Sequence, residues 1–293
     1  MVTAYVLRLV SAQPIPLDFF SGFAVRGLFF RMLKSFDSVL ADEVHDARTL
    51  SPYSVSPVET LAGRGIFYGV IQPGFVFQMR MNALNGVVSD ALMKSLLSAD
   101  ASCLELNDVE VWMREVAVKN WEPLEKVDVY EGLRLSVRFR SPTFFRSTQK
   151  GPTFFMRLLP RRLRKPVRPV YRYMILPDPY LFFRTLARLY RQFGEPGFPY
   201  KSYSEWLLEG GVALETFSRL RVSKVYDDRG RWSRGFVGHV VFTIPRDLFD
   251  RRMASITVNL LEFARFSNVG GNRTAGFGVL DYRVYPPRDG DEE

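Results

Sequence analysis

The sequence predicts an α+β fold of two tandem ferredoxin-like (βαββαβ, RRM-like) domains with a C-terminal glycine-rich loop. Three observations predict it: a length suited to two domains, one order of elements read twice, and four glycines gathered between the last helix and the last strand. The 293 residues are 47% hydrophobic and 24% charged, the values of a globular chain able to bury two cores. No apolar run approaches the ~20 residues a membrane span needs, and Arg8 interrupts the N-terminal apolar stretch. A cytoplasmic protein with no targeting segment and no membrane partner is expected. The single cysteine, Cys103, can form neither an internal disulfide nor a thiolate metal site, and reads as a small buried thiol.

Residues 3–11 alternate apolar and β-branched side chains as a strand does, and residues 21–46 then place apolar positions at helical spacing. Residues 65–81, rich in Phe, Val, Ile and Tyr and broken by Pro73-Gly74, read as a hairpin. A second helix is expected over 89–99 with Ser89 as its cap, and strand material over 103–119. This first unit spans residues 1–125. The order restarts in residues 126–293, with a strand over 130–141 and, after a basic, proline-rich connection, a helix over 178–193. Segments 214–226 and 232–244 flank Asp227-Asp228-Arg229-Gly230, whose Asp and Gly supply turn dihedrals, and so form a long ribbon. A helix over 251–266 and a strand over 277–285 complete the unit, and residues 286–293 read as a frayed acidic tail.

The formal charge of +9 favours a polyanionic partner. It is carried by 32 Arg against 8 Lys, and guanidinium suits bidentate phosphate contacts and base stacking. From Gly132 through Pro177 there is no Asp or Glu, while twelve basic residues fall between Arg134 and Arg172, including Arg161, Arg162, Arg164, Lys165 and Arg168. Phe139, Phe144, Phe145, Phe154, Phe155, Tyr171 and Tyr173 are interleaved with them, as where bases stack beside neutralised phosphates. Some of these aromatics must also belong to the core. Arg229, Arg231 and Arg234 on the ribbon suit an RNA stem read by shape and backbone, or are exposed turn residues.

Asn268-Val-Gly-Gly-Asn-Arg-Thr-Ala-Gly-Phe-Gly278 places Gly270, Gly271, Gly276 and Gly278 between a helix and a strand. Glycines permit positive φ and close backbone approach, so amides there could face phosphate oxygens, with Asn272 and Arg273 supporting them. The order helix, glycines, strand is wrong for a dinucleotide fingerprint or a Walker loop. A tight helix-to-strand connection is the competing reading.

A C-terminal glycine-rich loop ending in Gly-Phe-Gly resembles that of the CRISPR-associated RAMP superfamily, and within it most closely the Cas-six endoribonucleases. Gly27-Leu-Phe-Phe-Arg-Met-Leu-Lys-Ser35, His45 and Leu50-Ser-Pro-Tyr-Ser54 resemble that family's first helix, histidine and following strand, and Arg138-Phe-Arg-Ser-Pro-Thr-Phe144 the strand opening its second domain. The resemblance implies tandem ferredoxin-like domains and cleavage of precursor CRISPR RNA within its repeats. It implies metal-independent chemistry with no cofactor: a ribose 2′-hydroxyl attacks the adjacent phosphate, giving a 2′,3′-cyclic phosphate and a 5′-hydroxyl. Repeat RNA is then the partner, with other Cas proteins of an interference complex or a second copy of the chain as further ones. The alternative is a non-catalytic RAMP scaffold that binds guide RNA without cutting it.

Histidine suits general acid or base work near neutrality, and Arg can steady the extra charge on a phosphorane. By position His45 matches the family's histidine. The family's helix tyrosine falls on Phe30, which cannot share a proton, and its lysine near Arg48 or Thr49. The expected catalytic set is therefore His45 with Arg48, Tyr53 and Arg31. His239, between apolar neighbours on a strand, reads as structural. With two histidines, one cysteine and no clustered carboxylate motif, the residues give little support to a metal site.

Overall fold

The computed structural model describes residues 1–46, 50–98, 103–148 and 171–287. In the N-terminal half, β1 (Thr3–Val10) lies antiparallel between β6 (Phe77–Ala83) and β8 (Val109–Asn120). The sheet continues through β3 (Tyr53–Val55) beyond β6 and β7 (Cys103–Leu106) beyond β8. Helices α1 (Ser21–Phe36) and α3 (Gly86–Leu97) cover one face: Leu28, Phe29 and Leu33 from α1 and Val88 and Leu92 from α3 share a core with Leu7, Leu9, Met79 and Met81. In the C-terminal half, β9 (Arg134–Thr143), α4 (Pro179–Phe193), β12 (Ala213–Tyr226), β13 (Trp232–Thr243), α6 (Arg251–Ser267) and β14 (Leu280–Tyr285) follow in sequence, with sheet order β12-β13-β9-β14. Numbering the four principal strands of each half by sequence, both sheets run 2-3-1-4, the ferredoxin-like order.

The two halves are joined by side chains as well as by the chain. Phe20 from the first half packs with Phe144, Val225, Ala275 and Phe277 from the second in a core of their own. Arg140 on β9 reaches the carboxylate of Glu59 on β4 (Glu59–Thr60) at 2.7 Å. Burial raises the Glu59 pKa, and the Arg140 charge opposes that rise. Ser54 Oγ donates to the Phe266 carbonyl at 2.7 Å, and Asn268 Nδ2 donates to that of Val55 at 2.8 Å. A carbonyl at a helix end and one on a strand are thus each satisfied by a side-chain donor from the other domain.

Several expected elements differ. Residues 21–46 form two helices, not one, because Asp37 turns extended (φ −149°) and its carboxylate accepts the Leu40 N–H at 2.9 Å, capping α2 (Ser38–Asp46). Residues 65–81 do not pair as a hairpin: β5 (Gly69–Ile71) joins β2 (Ile15–Leu17), while β6 enters the main sheet. The cap of α3 is Asn85, whose side chain accepts from Val88 N, and not Ser89. Residues 103–119 hold a hairpin, turning through Asn107 and Asp108 at φ 53° and 63°, the left-handed pair a two-residue turn requires. A further helix, α5 (Tyr200–Leu208), was not anticipated. The helices expected over 178–193 and 251–266 and the β12–β13 ribbon fall where the sequence places them, and the structure adds Asp178 and Asp250 as the helix caps.

Candidate active site

The glycine-rich loop follows α6, whose last helical residue precedes Asn268 at φ 52°. Asn272 and Gly276 are left-handed around a single turn of 3₁₀ helix, Arg273–Ala275. Gly276, at φ 80°, sits where a Cβ would lie 2.9 Å from Pro57 N and 3.0 Å from the Gly22 Cα, so only glycine lets the loop press on the first domain. The Gly271 N–H donates to the Phe144 carbonyl at 2.9 Å and that of Gly278 to Pro142 at 3.1 Å. Those two amides close the protein on itself, which favours a packed connection for this part of the loop over a continuous phosphate cradle.

Arg273 also lies differently from the phosphate contact expected of it. It is buried, and its guanidinium donates to the Tyr53 carbonyl at 2.6 Å and to that of Ser51. Burial brings its pKa down to about 10, so it stays charged near neutrality while holding the loop against β3.

Beyond β3 an open cleft of about 480 Å³ brings residues of both domains together. Arg26, Gly27, Phe30 and Arg31 line it from α1, His45 from the end of α2, and Asp227, Asp228, Arg229 and Arg231 from the ribbon turn. His45 is exposed, with Nδ1 3.0 Å from Asp46 Oδ1. Its ring meets Phe30 edge-on at 5.4 Å, and Phe30 meets Tyr53 at 5.5 Å, so a phenyl stands between imidazole and phenol. Tyr53 is buried and stacked on Phe29 at 4.2 Å. Burial raises its pKa, against the lowering effect of Arg26 and of hydrogen bonds to Thr274 and Arg26. It is a neutral phenol beneath the Phe30 ring.

Arg31 pairs with Glu105 at 2.7 Å, and this partner, with its hydrogen bond, holds the Glu105 carboxyl below the usual range. Asp227 shapes the ribbon turn by accepting from the backbone N–H of Arg229 at 3.0 Å and of Arg231 at 2.8 Å, and it pairs with the Arg231 side chain at 2.8 Å. Among the described residues Arg26 and Arg229 stand in no ion pair. Arg26, whose guanidinium lies 5.7 Å from the Phe30 centroid, was missed in the sequence. Its i,i+4 spacing from Phe30 was the available signal.

A second cleft, of about 560 Å³, is lined by Ser51, Arg146, Arg184, Arg188, Gly270, Gly271, Asn272 and Thr274. Arg146 donates to Asn272 Oδ1 at 3.4 Å. The exposed parts of the glycine-rich loop therefore face guanidiniums from β10 (Phe145–Thr148) and α4. Arg184 and Arg188, one helical turn apart, were also missed.

Arg48, Arg161, Arg162, Arg164, Lys165 and Arg168, with Phe154 and Phe155, lie outside the described residues. Phe139, Phe144 and Phe145 are buried and pack among aromatic neighbours, so they belong to the core and not to a stacking surface; Tyr173 is exposed. Cys103, expected inside, is exposed because β7 is a sheet edge. His239 is held on its strand, with Nε2 2.7 Å from Ser136 Oγ. No helix among the described residues is long and apolar enough to cross a membrane.

The family model described as CRISPR-associated endoribonuclease Cas6 matches residues 137–280, and that of the CRISPR Cas6 N-terminal domain matches residues 1–67. Together they take in more than half of the chain. No curated protein matches. Among solved structures, a product complex of Thermus thermophilus Cas6 is similar over 97% of this chain and 99% of its own, at 24% identity and TM-score 0.72. A second Cas6 product complex is similar over 97% and 100%, at 22% identity and TM-score 0.65. A Cas6-related protein of Pyrococcus furiosus shares the fold over 97% and 99%, at 10% identity and TM-score 0.58. Both halves thus match models of one family, over one tandem ferredoxin-like fold, and the chain belongs to the Cas6 family of CRISPR-associated endoribonucleases.

Proposed function

We propose that this chain cuts precursor CRISPR RNA within its repeats, without a metal ion, at the cleft around His45. The observation that carries the reading is the meeting there of one exposed imidazole with guanidiniums from both domains. In the reaction the ribose 2′-oxygen bonds to the adjacent phosphorus as its proton leaves. The bond from phosphorus to the 5′-oxygen breaks, and that oxygen takes up a proton. The products are a 2′,3′-cyclic phosphate and a 5′-hydroxyl.

His45 moves one of these protons, acting through Nε2 while Asp46 holds Nδ1. Arg26 and Arg229 steady the added negative charge, while Arg31 and Arg231, already paired with acids, contribute positive potential. Phe30 supplies an apolar wall beside the imidazole, backed by the Tyr53 ring. The second cleft, with Arg146, Arg184 and Arg188 beside Gly270, Gly271 and Asn272, carries the RNA backbone toward the cut. By composition, residues 157–168 add further positive charge with no acid among them, which favours a polyanionic partner.

The test is cleavage of the repeat RNA by purified full-length chain in excess chelator. The expected result is a rate within about twofold of that in magnesium, because side chains and not a metal supply acid, base and charge. Loss of cleavage in chelator would contradict the metal-free mechanism. Binding without cleavage in either condition would favour the scaffold reading.

A further inference from the structure

The β12–β13 ribbon carries an aromatic surface just outside the His45 cleft. Tyr226 pairs across the ribbon with Trp232, and Lys224 with Arg234, so all four side chains share a face. Trp232 is 54% exposed and Tyr226 41%. The Lys224 ammonium lies 4.9 Å from the Tyr226 ring centre and 5.2 Å from that of Trp232, and the Arg234 guanidinium is 4.8 Å from the indole. Two cations thus flank two exposed rings.

This surface is held in place. The alternating residue Val225 is buried against Phe20 and Phe277, which turns Tyr226 and Lys224 outward. The Tyr226 N–H donates to the Tyr68 hydroxyl at 2.9 Å, and its carbonyl accepts from Phe20 N at 3.0 Å. Residues 227–231, between the two rings, make the turn whose Asp227, Asp228, Arg229 and Arg231 line the cleft.

We infer that Trp232 and Tyr226 form a stacking platform for an unpaired base of the RNA next to the cut bond, with Lys224 and Arg234 neutralising its phosphates. The occupant follows from the chemistry: ring faces suit any nucleobase, flanking cations suit its backbone, and continuity with the cleft places that nucleotide beside the reacting phosphate. The inference rests on the RNA-cleavage reading above.

Its test measures binding of the full chain, unaltered and as Trp232→Ala and Trp232→Phe, to repeat RNA and to the same RNA made abasic at each unpaired position flanking the cut in turn. At one position, the abasic RNA should bind the unaltered chain on the order of tenfold more weakly. Trp232→Ala should show the same loss on intact RNA and no further loss on that abasic RNA, while Trp232→Phe retains most of the affinity. Equal binding of intact RNA by Trp232→Ala and the unaltered chain would overturn the platform alone. Losses that add at every abasic position would do the same. Failure of the unaltered chain to bind repeat RNA would overturn the platform and the cleavage reading together.

Discussion

Replacing His45 by alanine is expected to slow single-turnover cleavage of repeat RNA roughly 10²-fold while changing affinity by less than about twofold. The split follows from where the imidazole sits. It is exposed at the end of α2, touches Phe30 and Asp46, and among the described residues supports no buried hydrogen bond, so its removal should take away proton transfer and little else. On the proposed reading binding draws on guanidiniums spread over two clefts, of which one imidazole is a small part. Rates and affinities measured on the same RNA separate the two roles. An unchanged rate would remove His45 from the chemistry.

The second large effect is on stability. Arg273→Met should lower the unfolding free energy of the RNA-free chain by about 2–4 kcal/mol, seen as a lower denaturant midpoint. Two hydrogen bonds from a charged donor are lost, and the Tyr53 and Ser51 carbonyls lose a buried partner, while the cost of burying the guanidinium is recovered. A residue that served chiefly as a phosphate contact would leave the free chain as stable as before and weaken only RNA binding. Because Arg273 ties the glycine-rich loop to β3, and Tyr53 on β3 packs against Phe30 in the wall of the His45 cleft, the same variant should also cut more slowly.

The sequence carried the order of elements well wherever local chemistry decides it. Asp178 and Asp250 cap their helices, and Asp227 with Gly230 turns the ribbon, because short-range hydrogen bonds and turn dihedrals suffice there. It carried less where a distant partner decides. The apolar run 65–81 looks like one hairpin, yet β5 pairs with β2, more than 50 residues earlier, for reasons its own residues do not display. His45, Arg31, Arg229 and Arg231 line one cleft, an arrangement that depends on the ribbon being pinned by Phe20 and Tyr68 of the first domain. Arg273 is the clearest lesson: an arginine in a glycine-rich loop reads as a ligand contact, and only the packed fold shows two backbone carbonyls already claiming it.

The most direct measurement of the central claim is single-turnover cleavage of repeat RNA with one 2′-deoxynucleotide at the mapped position that supplies the attacking hydroxyl. The account predicts that this RNA binds as tightly as the all-ribose RNA and stays uncut at that bond, because the nucleophile is missing. Cleavage there at an undiminished rate would contradict it.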